Sequence, residues 1–290
     1  MVKLLFNNHG YKRYMLDIYP NAPPPSHVRA RGEVTISCRS NGLTTTLNKL
    51  RQAGSLKCFF PKTCRNELQA VLLNSAGGLT GGDQLIISAR VEPQAQLTIT
   101  SQAAERIYRT LDNHESLIRT ELHVSNNAHL NWVPQETILF EGCALRRSLT
   151  VTLEETSSLI IIEPIVFGRR EMGETLTSIS LNDRIEIYRS GQPIFIDVIQ
   201  MFGDAEEELD KPSVANGART VTSVTYIASD AEAHLAGIRQ LLPQEAGASL
   251  FHSDTLVMRL IAKDSNDMRK WLIPILDRLT QKGLPKCWSL

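Results

Sequence analysis

Short runs of alternating hydrophobic and polar residues dominate the chain from about residue 29 onward. In one of them Leu97 and Ile99 alternate with glutamine and threonine, and the same alternation continues through residues 118–124. A period of two is typical of a β-strand with one buried face. Further runs of this kind occupy residues 149–154, 158–163, 175–181, 184–188, 194–199 and 220–227. Because short turns separate these runs, the pattern predicts an all-β layered body.

Two segments in the C-terminal third have the period of an α-helix instead. The first begins at Ser229, which together with Glu232 predicts a capping box. The second covers about residues 265–282, and Pro274 is predicted to kink it. The chain shows no sequence repeat of 20 to 50 residues, so self-similarity does not indicate a solenoid. The prediction is a mainly β domain with two helices near its end.

The first 28 residues differ from the rest in composition. Pro20 and the run Pro23 to Pro25 stiffen the chain and remove amide donors before any periodic segment begins. We therefore expect a flexible, proline-rich arm over residues 1–28 and a single domain over residues 29–290.

Composition and charge exclude several classes of protein. Of the 290 residues, 42% are hydrophobic and 21% are charged, which excludes a disordered or collagen-like chain. The 31 basic and 31 acidic residues leave no excess positive charge, so nucleic acid is a poor candidate partner. The longest apolar stretches contain only a few residues, whereas a membrane span needs about 20, so no membrane partner is expected.

The cysteines and the N-terminus indicate the cellular compartment. Five cysteines are widely spread and include no C-x-x-C pair, so we interpret them as reduced thiols. The apolar run Leu4 to Phe6 ends at Asn7 and Asn8, which is too short for the core of a signal peptide. A cytoplasmic protein is expected.

The most distinctive segment is glycine-rich and lies at residues 74–83. A nucleotide-binding P-loop requires Gly-Lys-Ser/Thr followed by a helix, whereas Gly82 is followed by Asp83 and a strand-like sequence. The favoured interpretation is a tight structural loop that needs positive φ or close backbone approach, and a phosphate cradle is the alternative. The glycines of this structural loop are Gly77, Gly78, Gly81 and Gly82.

Several carboxylates stand in apolar surroundings. By strand alternation Glu136 shares a face with Trp132 and Ile138 and is expected to point inward. A buried carboxylate is costly unless it is paired or hydrated, so Glu136 either meets an arginine, such as Arg106, or lines a wet internal cavity. The same question applies to Glu163, Glu171 and Glu174.

Catalytic motifs are absent from the sequence. The seven histidines form no H-x-x-x-H or H-E-x-x-H pattern, no serine lies in a G-x-S-x-G elbow, and Cys143 has no evident base nearby in sequence. An acid/base pair of carboxylates remains open, because their separation depends on the fold. Glu136 and Glu163 are the pair that a small-molecule enzyme of β architecture would use.

Four ordered segments resemble the UreD (UreH) family of urease accessory proteins. These are NSAGGLTGGDQL, SQAAERIYRT, NWVPQETILFEG and FGRREMGE, and the likeness extends over roughly residues 29–290. The resemblance implies a β-helix-like stack of short strands with two α-helices. It also implies a non-enzymatic scaffold for nickel insertion into apo-urease, which binds UreF and, through UreF, the GTPase UreG.

A nickel conduit must bind its ion weakly. Clustered cysteine and histidine ligands would hold Ni²⁺ tightly, whereas scattered carboxylates and water let it move on. We therefore expect no tightly bound cofactor, only nickel in transit along an internal passage. The residues predicted to line that passage are Asp83, Glu136, Glu141, Glu163, Glu171 and Glu174.

Overall fold

The computed structural model describes residues 29–111 and 114–289, without the side chain of Glu171. The predicted arm, residues 1–28, lies outside the described residues. Numbered in chain order, the strands are β1 (Arg31–Ser40), β2 (Thr45–Gly54), β3 (Leu56–Phe59), β4 (Leu68–Asn74), β5 (Gln84–Val91), β6 (Gln96–Ser101), β7 (Glu105–Ile107), β8 (Ser116–Val124), β9 (His129–Trp132), β10 (Thr137–Leu139), β11 (Ala144–Leu153), β12 (Ser158–Phe167), β13 (Ile179–Arg189), β14 (Gln192–Gly203), β15 (Thr220–Ile227), β16 (Gly247–His252) and β17 (Thr255–Ala262).

These strands form two sheets that face each other. In sheet A the order is β14-β13-β11-β8-β5-β1-β2, and in sheet B it is β16-β17-β15-β12-β9-β6-β4-β3. The short strand β10 joins sheet B through β12 and carries β7 on its other side. The inner strands of both sheets pair in parallel, because the chain passes alternately through sheet A and sheet B and returns in the same direction.

The result is a stack of coils that resembles a β-solenoid. Hydrogen bonds between adjacent coils join His129 to Ser158, 29 residues apart, and Asn131 to Thr98, 33 residues apart. The mainly β fold with stacked short strands is therefore confirmed. The coils repeat in space without repeating in sequence, since each position only has to supply an inward apolar side chain.

Burial follows the alternation along each strand. In β8 the inward residues Ile118, Leu122 and Val124 are buried, whereas Arg119 and Glu121 point to solvent. Strand β12 is buried on both faces, because sheet B packs on its other side against the helices. This explains its nearly continuous apolar sequence.

The helices are α1 (Ala205–Asp210), α2 (Ala231–Leu241) and α3 (Ser265–Leu279). The predicted helices are α2 and α3, and both lie in the C-terminal third. The predicted capping box of α2 does not form, because the helix begins after Asp230 and has no side-chain cap. Helix α1 was not predicted. None of the helices in the described part of the chain is long and apolar enough to span a bilayer.

Candidate functional site

A cavity of about 250 Å³ lies between the two sheets. Sheet A contributes apolar side chains from β5, β8 and β11, including Ile87, Ile118 and Leu149. The wall is polar where Thr137 and Glu163 line it. The cavity therefore has apolar walls and a polar inner end.

The polar inner end is built around one buried arginine. Arg147 Nη1 lies 2.6 Å from Glu163 Oε2, and Arg147 Nη2 lies 2.7 Å from Asp183 Oδ2. Arg147 also donates to Thr137 Oγ1, and Trp132 Nε1 donates to Glu163 Oε1 at 2.7 Å. Glu163 and Arg147 are only 4% and 5% exposed. Every polar atom of the arginine is thus held in place by strands of both sheets.

The charges of this cluster do not balance. One guanidinium faces two carboxylates, so the fully ionised cluster carries a net charge of −1. Burial raises the pKa of Glu163, and the neighbouring Asp183 raises it further despite Arg147. Burial alone would lower the pKa of Arg147, but Asp183 and Glu163 together raise it, so the arginine stays charged. The inner end of the cavity therefore favours a proton or a cation.

A buried amide in the lining of the cavity has one group without a protein partner. Gln135 lines the cavity, and its Oε1 accepts a hydrogen bond from Arg269. Its Nε2 is buried and has no protein partner. Buried donors are almost always satisfied, and a cavity of this size and polarity has room for water to do so. Gln135 therefore gives the cavity wall an amide donor that water can satisfy.

The other end of the cavity reaches solvent. Its lining includes the exposed residues Gly77, Gln102 and Arg106. Glu105 lies at this mouth, where both of its carboxylate oxygens accept from Asn74 Nδ2, at 3.1 and 3.2 Å. Burial raises the pKa of Glu105 to about 7, and the Asn74 hydrogen bond opposes that rise only in part.

Glu136 points away from the cavity, contrary to the expected inward orientation. Residues 133–136 between β9 and β10 leave the strand geometry, so alternation from Trp132 does not carry over to Glu136. Its Oε1 accepts from Arg269 Nε at 2.7 Å and from Ser265 Oγ at 2.6 Å. The arginine it meets thus comes from α3, and Arg106 was the wrong expectation.

These contacts favour the ionised form of Glu136, and they place it on the other side of sheet B from Glu163. Burial alone would raise the pKa of Glu136, but hydrogen bonds from Arg269 and Ser265 hold it below its ordinary value. Because Glu136 faces α3 and Glu163 faces the cavity, the two carboxylates lie on opposite sides of sheet B. An acid/base pair made of these two residues is therefore not formed.

Glu141 and Glu174 lie together at one end of the coils. Glu174 binds Arg169 through an ion pair of 3.0 Å and accepts from the backbone amide of Glu141. Glu141 accepts from the backbone amides of Thr177 and Ser178, at 2.8 and 3.2 Å. Both carboxylates hold loops, and neither lines the cavity between the sheets.

Asp83, at the end of the glycine-rich loop, accepts hydrogen bonds from two backbone amides. Its Oδ2 accepts from the amide of Thr80 at 2.9 Å, and its Oδ1 accepts from the amide of Ala30 at 2.7 Å. Within the loop, the Asp83 carboxylate satisfies the amide of Thr80, and backbone carbonyls accept from the amides of Gly77, Leu79 and Gly82. Asp83 is buried and does not line the cavity between the sheets.

The glycines of this loop have two different reasons to be glycine. Gly77, Gly78 and Gly82 have φ of 76°, 145° and 85°, which L side chains rarely adopt. Gly78 is also tightly packed, since a Cβ there would lie 2.3 Å from the ring of Tyr108. At Gly81 a Cβ would lie 2.1 Å from Thr110 Oγ1. This geometry is what a structural loop requires.

Of the carboxylates predicted from the sequence, the structure places Glu163 in the cavity wall. Glu171 lies in the short 3₁₀ helix Arg170–Met172, and its side chain lies outside the described part of the structure. The sequence prediction missed Arg147, Asp183 and Glu105. Strand alternation would have found Arg147 and Asp183, because Arg147 stands at an inward position of β11 and Asp183 at an inward position of β13.

Comparison with known proteins shows what the chain is similar to. Residues 29–289 match the model of the family described as UreD urease accessory protein. A urease accessory protein UreD from Ruegeria pomeroyi is 47% identical over 249 residues, covering 86% of this chain and 97% of the relative. Another, from Roseobacter denitrificans, is 40% identical over 269 residues, covering 93% and 98%. A third, from Ruegeria sp., is 45% identical over 277 residues and covers 93% of both chains.

Proposed function

Because the chain belongs to the UreD family of urease accessory proteins, which serve urease maturation and are not enzymes, we propose that it is a scaffold for nickel insertion into apo-urease. In this proposal it binds apo-urease and UreF, and UreF in turn brings the GTPase UreG. Nickel is the cargo that passes through, and the chain keeps no tightly bound cofactor.

The observation that carries the proposal is the cavity between the sheets, whose inner end holds two carboxylates against one guanidinium. A divalent cation entering it meets Glu163, whose charge is only partly balanced by Arg147 because Asp183 shares the same guanidinium. Carboxylates and water are hard oxygen ligands that hold Ni²⁺ less firmly than thiolates or imidazoles. A passage lined in this way lets the ion leave again.

The glycine-rich loop supports a separate GTPase partner. Because the Asp83 carboxylate already accepts from the amides of Thr80 and Ala30, the loop offers no cradle for a nucleotide phosphate. The energy of GTP hydrolysis then has to come from another protein, which is the role proposed for UreG.

The first experiment tests the partners. The full chain carries an affinity tag and is incubated with purified apo-urease, UreF and UreG, separately and together. The proposal expects capture of apo-urease and of UreF by the chain alone, and capture of UreG only when UreF is present. Retention of UreG without UreF, or no retention of apo-urease, contradicts the proposed assembly.

The second experiment tests the cavity. Glu163→Gln replaces the carboxylate in the wall with a neutral amide of the same shape. Thr120→Leu fills cavity space with an apolar group, since Thr120 lines the cavity. Both variants should lower the nickel content of urease per assembled complex. Glu121→Gln, on the solvent face of the same strand as Thr120, is the matched control. Unchanged nickel content in both cavity variants, with assembly intact, contradicts a route through this cavity.

A further inference from the structure

Strand β14 forms one edge of sheet A, and one side of its backbone has no strand partner in the described part of the chain. It pairs with β13 alone, antiparallel, from Gln192 to Gly203. Alternate N–H and C=O groups of an edge strand point away from the sheet. Strand β14 therefore offers a backbone ladder to which another strand can add.

The other long or exposed edges are protected in ways that β14 is not. Strand β2, at the opposite edge of sheet A, has Lys49 and Arg51 among its exposed residues and a bulge in its pairing with β1. The end strands of sheet B, β3 and β16, are only 4 and 6 residues long. Charges, bulges and short length all hinder pairing at a sheet edge. In β14 the proline and the bulge stand at the beginning of the strand, and its ladder is regular over residues 195–203.

The outward face of this regular stretch is uncharged and mostly apolar. Ile196, Val198 and Phe202 alternate along β14 and are 47%, 41% and 62% exposed. The charged residue of the stretch, Asp197, lies at an intervening position, and Arg259 of β17 balances its charge at 2.7 Å. A strand of 12 residues with a free edge and an exposed apolar face is therefore suited to strand addition.

A second copy of β14 is the strand that this edge fits. In an antiparallel pair about a two-fold axis, a strand meets its own sequence in reverse, so the two apolar rows lie on the same face and beside each other. The outward row carries no charge that would repel its copy. The 31 basic and 31 acidic residues of the chain also leave two copies without net repulsion. Pairing of β14 with β2 of another copy would instead place Lys49 and Arg51 beside the apolar row and would leave the assembly open.

We propose that two copies of this chain form a dimer in which β14 pairs antiparallel with β14 of the partner subunit. The pairing joins the two seven-stranded A sheets into one continuous sheet. With the two-fold axis at Ile199, Ile196 of each copy lies opposite Phe202 of the partner subunit. Because β14 contributes no residue to the lining of the cavity between the sheets, this inference is independent of the proposed function.

The first test is sedimentation equilibrium of the purified full chain between about 1 and 100 µM, where the mass should rise from that of one chain to twice that value. Val198→Lys places like charges close together across the axis and should weaken dimerisation by about 100-fold or more. Ile86→Lys is the matched control, because Ile86 is 39% exposed on the outer face of the same sheet but stands on the inner strand β5. It should change the dissociation constant by less than about threefold. Thermal unfolding of both variants checks that the fold is kept.

The second test uses the wild type and does not depend on a variant that folds. Backbone amides of residues 195–202 should exchange with solvent at least about tenfold more slowly at a concentration where the chain is dimeric than where it is monomeric. A chain that stays monomeric at all concentrations overturns the inference, as does a ladder of larger assemblies. A dimer that a folded Val198→Lys variant leaves intact, or one that slows exchange elsewhere but not in β14, also overturns it. Slower exchange in β14 only after UreF or apo-urease is added would assign this edge to that partner and overturn self-pairing.

Discussion

Arg147 and Glu163 meet between the two sheets, with 2.6 Å between Nη1 and Oε2. Arg147 belongs to sheet A and Glu163 to sheet B, so this contact ties the two faces of the cavity together. Asp183, on the neighbouring strand of sheet A, completes the cluster. The cluster is therefore both a structural clamp and the charged wall of the proposed passage.

Removing the arginine should destabilise the protein strongly. Arg147→Met leaves Glu163 and Asp183 buried without a counter-charge, which we expect to lower the free energy of unfolding by about 3–5 kcal/mol. The measurement is the urea dependence of unfolding. Arg184→Met, on the adjacent strand in an exposed pair with Glu186, is the control and should cost less than about 1 kcal/mol. Similar losses of unfolding free energy in the two variants would show that the buried cluster stabilises the fold no more than an exposed ion pair does.

The cluster also shows why one strand was divided in the sequence prediction. The runs 175–181 and 184–188 were predicted as two strands, whereas β13 runs unbroken from Ile179 to Arg189. Asn182 and Asp183 resemble a turn in the sequence. In the structure Asp183 points inward and is paired with Arg147, so its burial is compensated and the strand continues.

Prediction from the sequence worked where each residue's environment follows from its own strand. Alternation identified strands such as β8, β11 and β15, and it left open whether Glu163 is paired or hydrated. It failed where a partner comes from another coil or from a distant helix, as with Glu136 and Arg269, which are 133 residues apart. Which residues of neighbouring coils lie side by side is set by the folded stack. Because the chain has no sequence repeat, the sequence does not show this alignment.

Glu136 should affect stability rather than nickel transfer. Glu136→Gln weakens a largely buried ion pair with Arg269, and we expect a loss of about 2 kcal/mol at neutral pH. Because hydrogen bonds to Arg269 and Ser265 lower its pKa, this stabilisation is present above the ordinary value of 4.5 and is lost as pH falls through the lower folded pKa. Urea unfolding of both proteins at several pH values measures the difference.

The matched control for Glu136 is Glu208→Gln, which removes an exposed pair with Lys211. Its effect should stay below about 1 kcal/mol at all pH values tested. Nickel per assembled urease complex should be normal in Glu136→Gln, in contrast to Glu163→Gln. A drop in nickel without a loss of stability would place Glu136 on the passage after all.

Alanine substitutions in the glycine-rich loop should separate the stability cost of steric crowding from that of backbone strain. At Gly81 an added Cβ would lie 2.1 Å from Thr110 Oγ1 and 2.5 Å from the carbonyl oxygen of His114, so Gly81→Ala should cost about 3 kcal/mol. At Gly77 an added Cβ has open space but φ is 76°, so Gly77→Ala should cost only about 1 kcal/mol. Thermal and urea unfolding provide the comparison. Equal costs would mean that the loop relaxes around Gly81.

Glu105 should make the protein less stable as pH rises. Its pKa is about 7 in the folded protein against an ordinary value of 4.5, so the folded state binds the proton more tightly than the unfolded state. Stability contributed by the protonated group is therefore present at low pH and is lost progressively between about pH 4.5 and 7. Because Glu105→Gln cannot ionise, the free energy of unfolding of the wild type relative to this variant should fall by about 2 kcal/mol across that range. Urea unfolding at half-unit pH steps measures the difference, and a flat or rising one would show that the mouth carboxylate is already compensated.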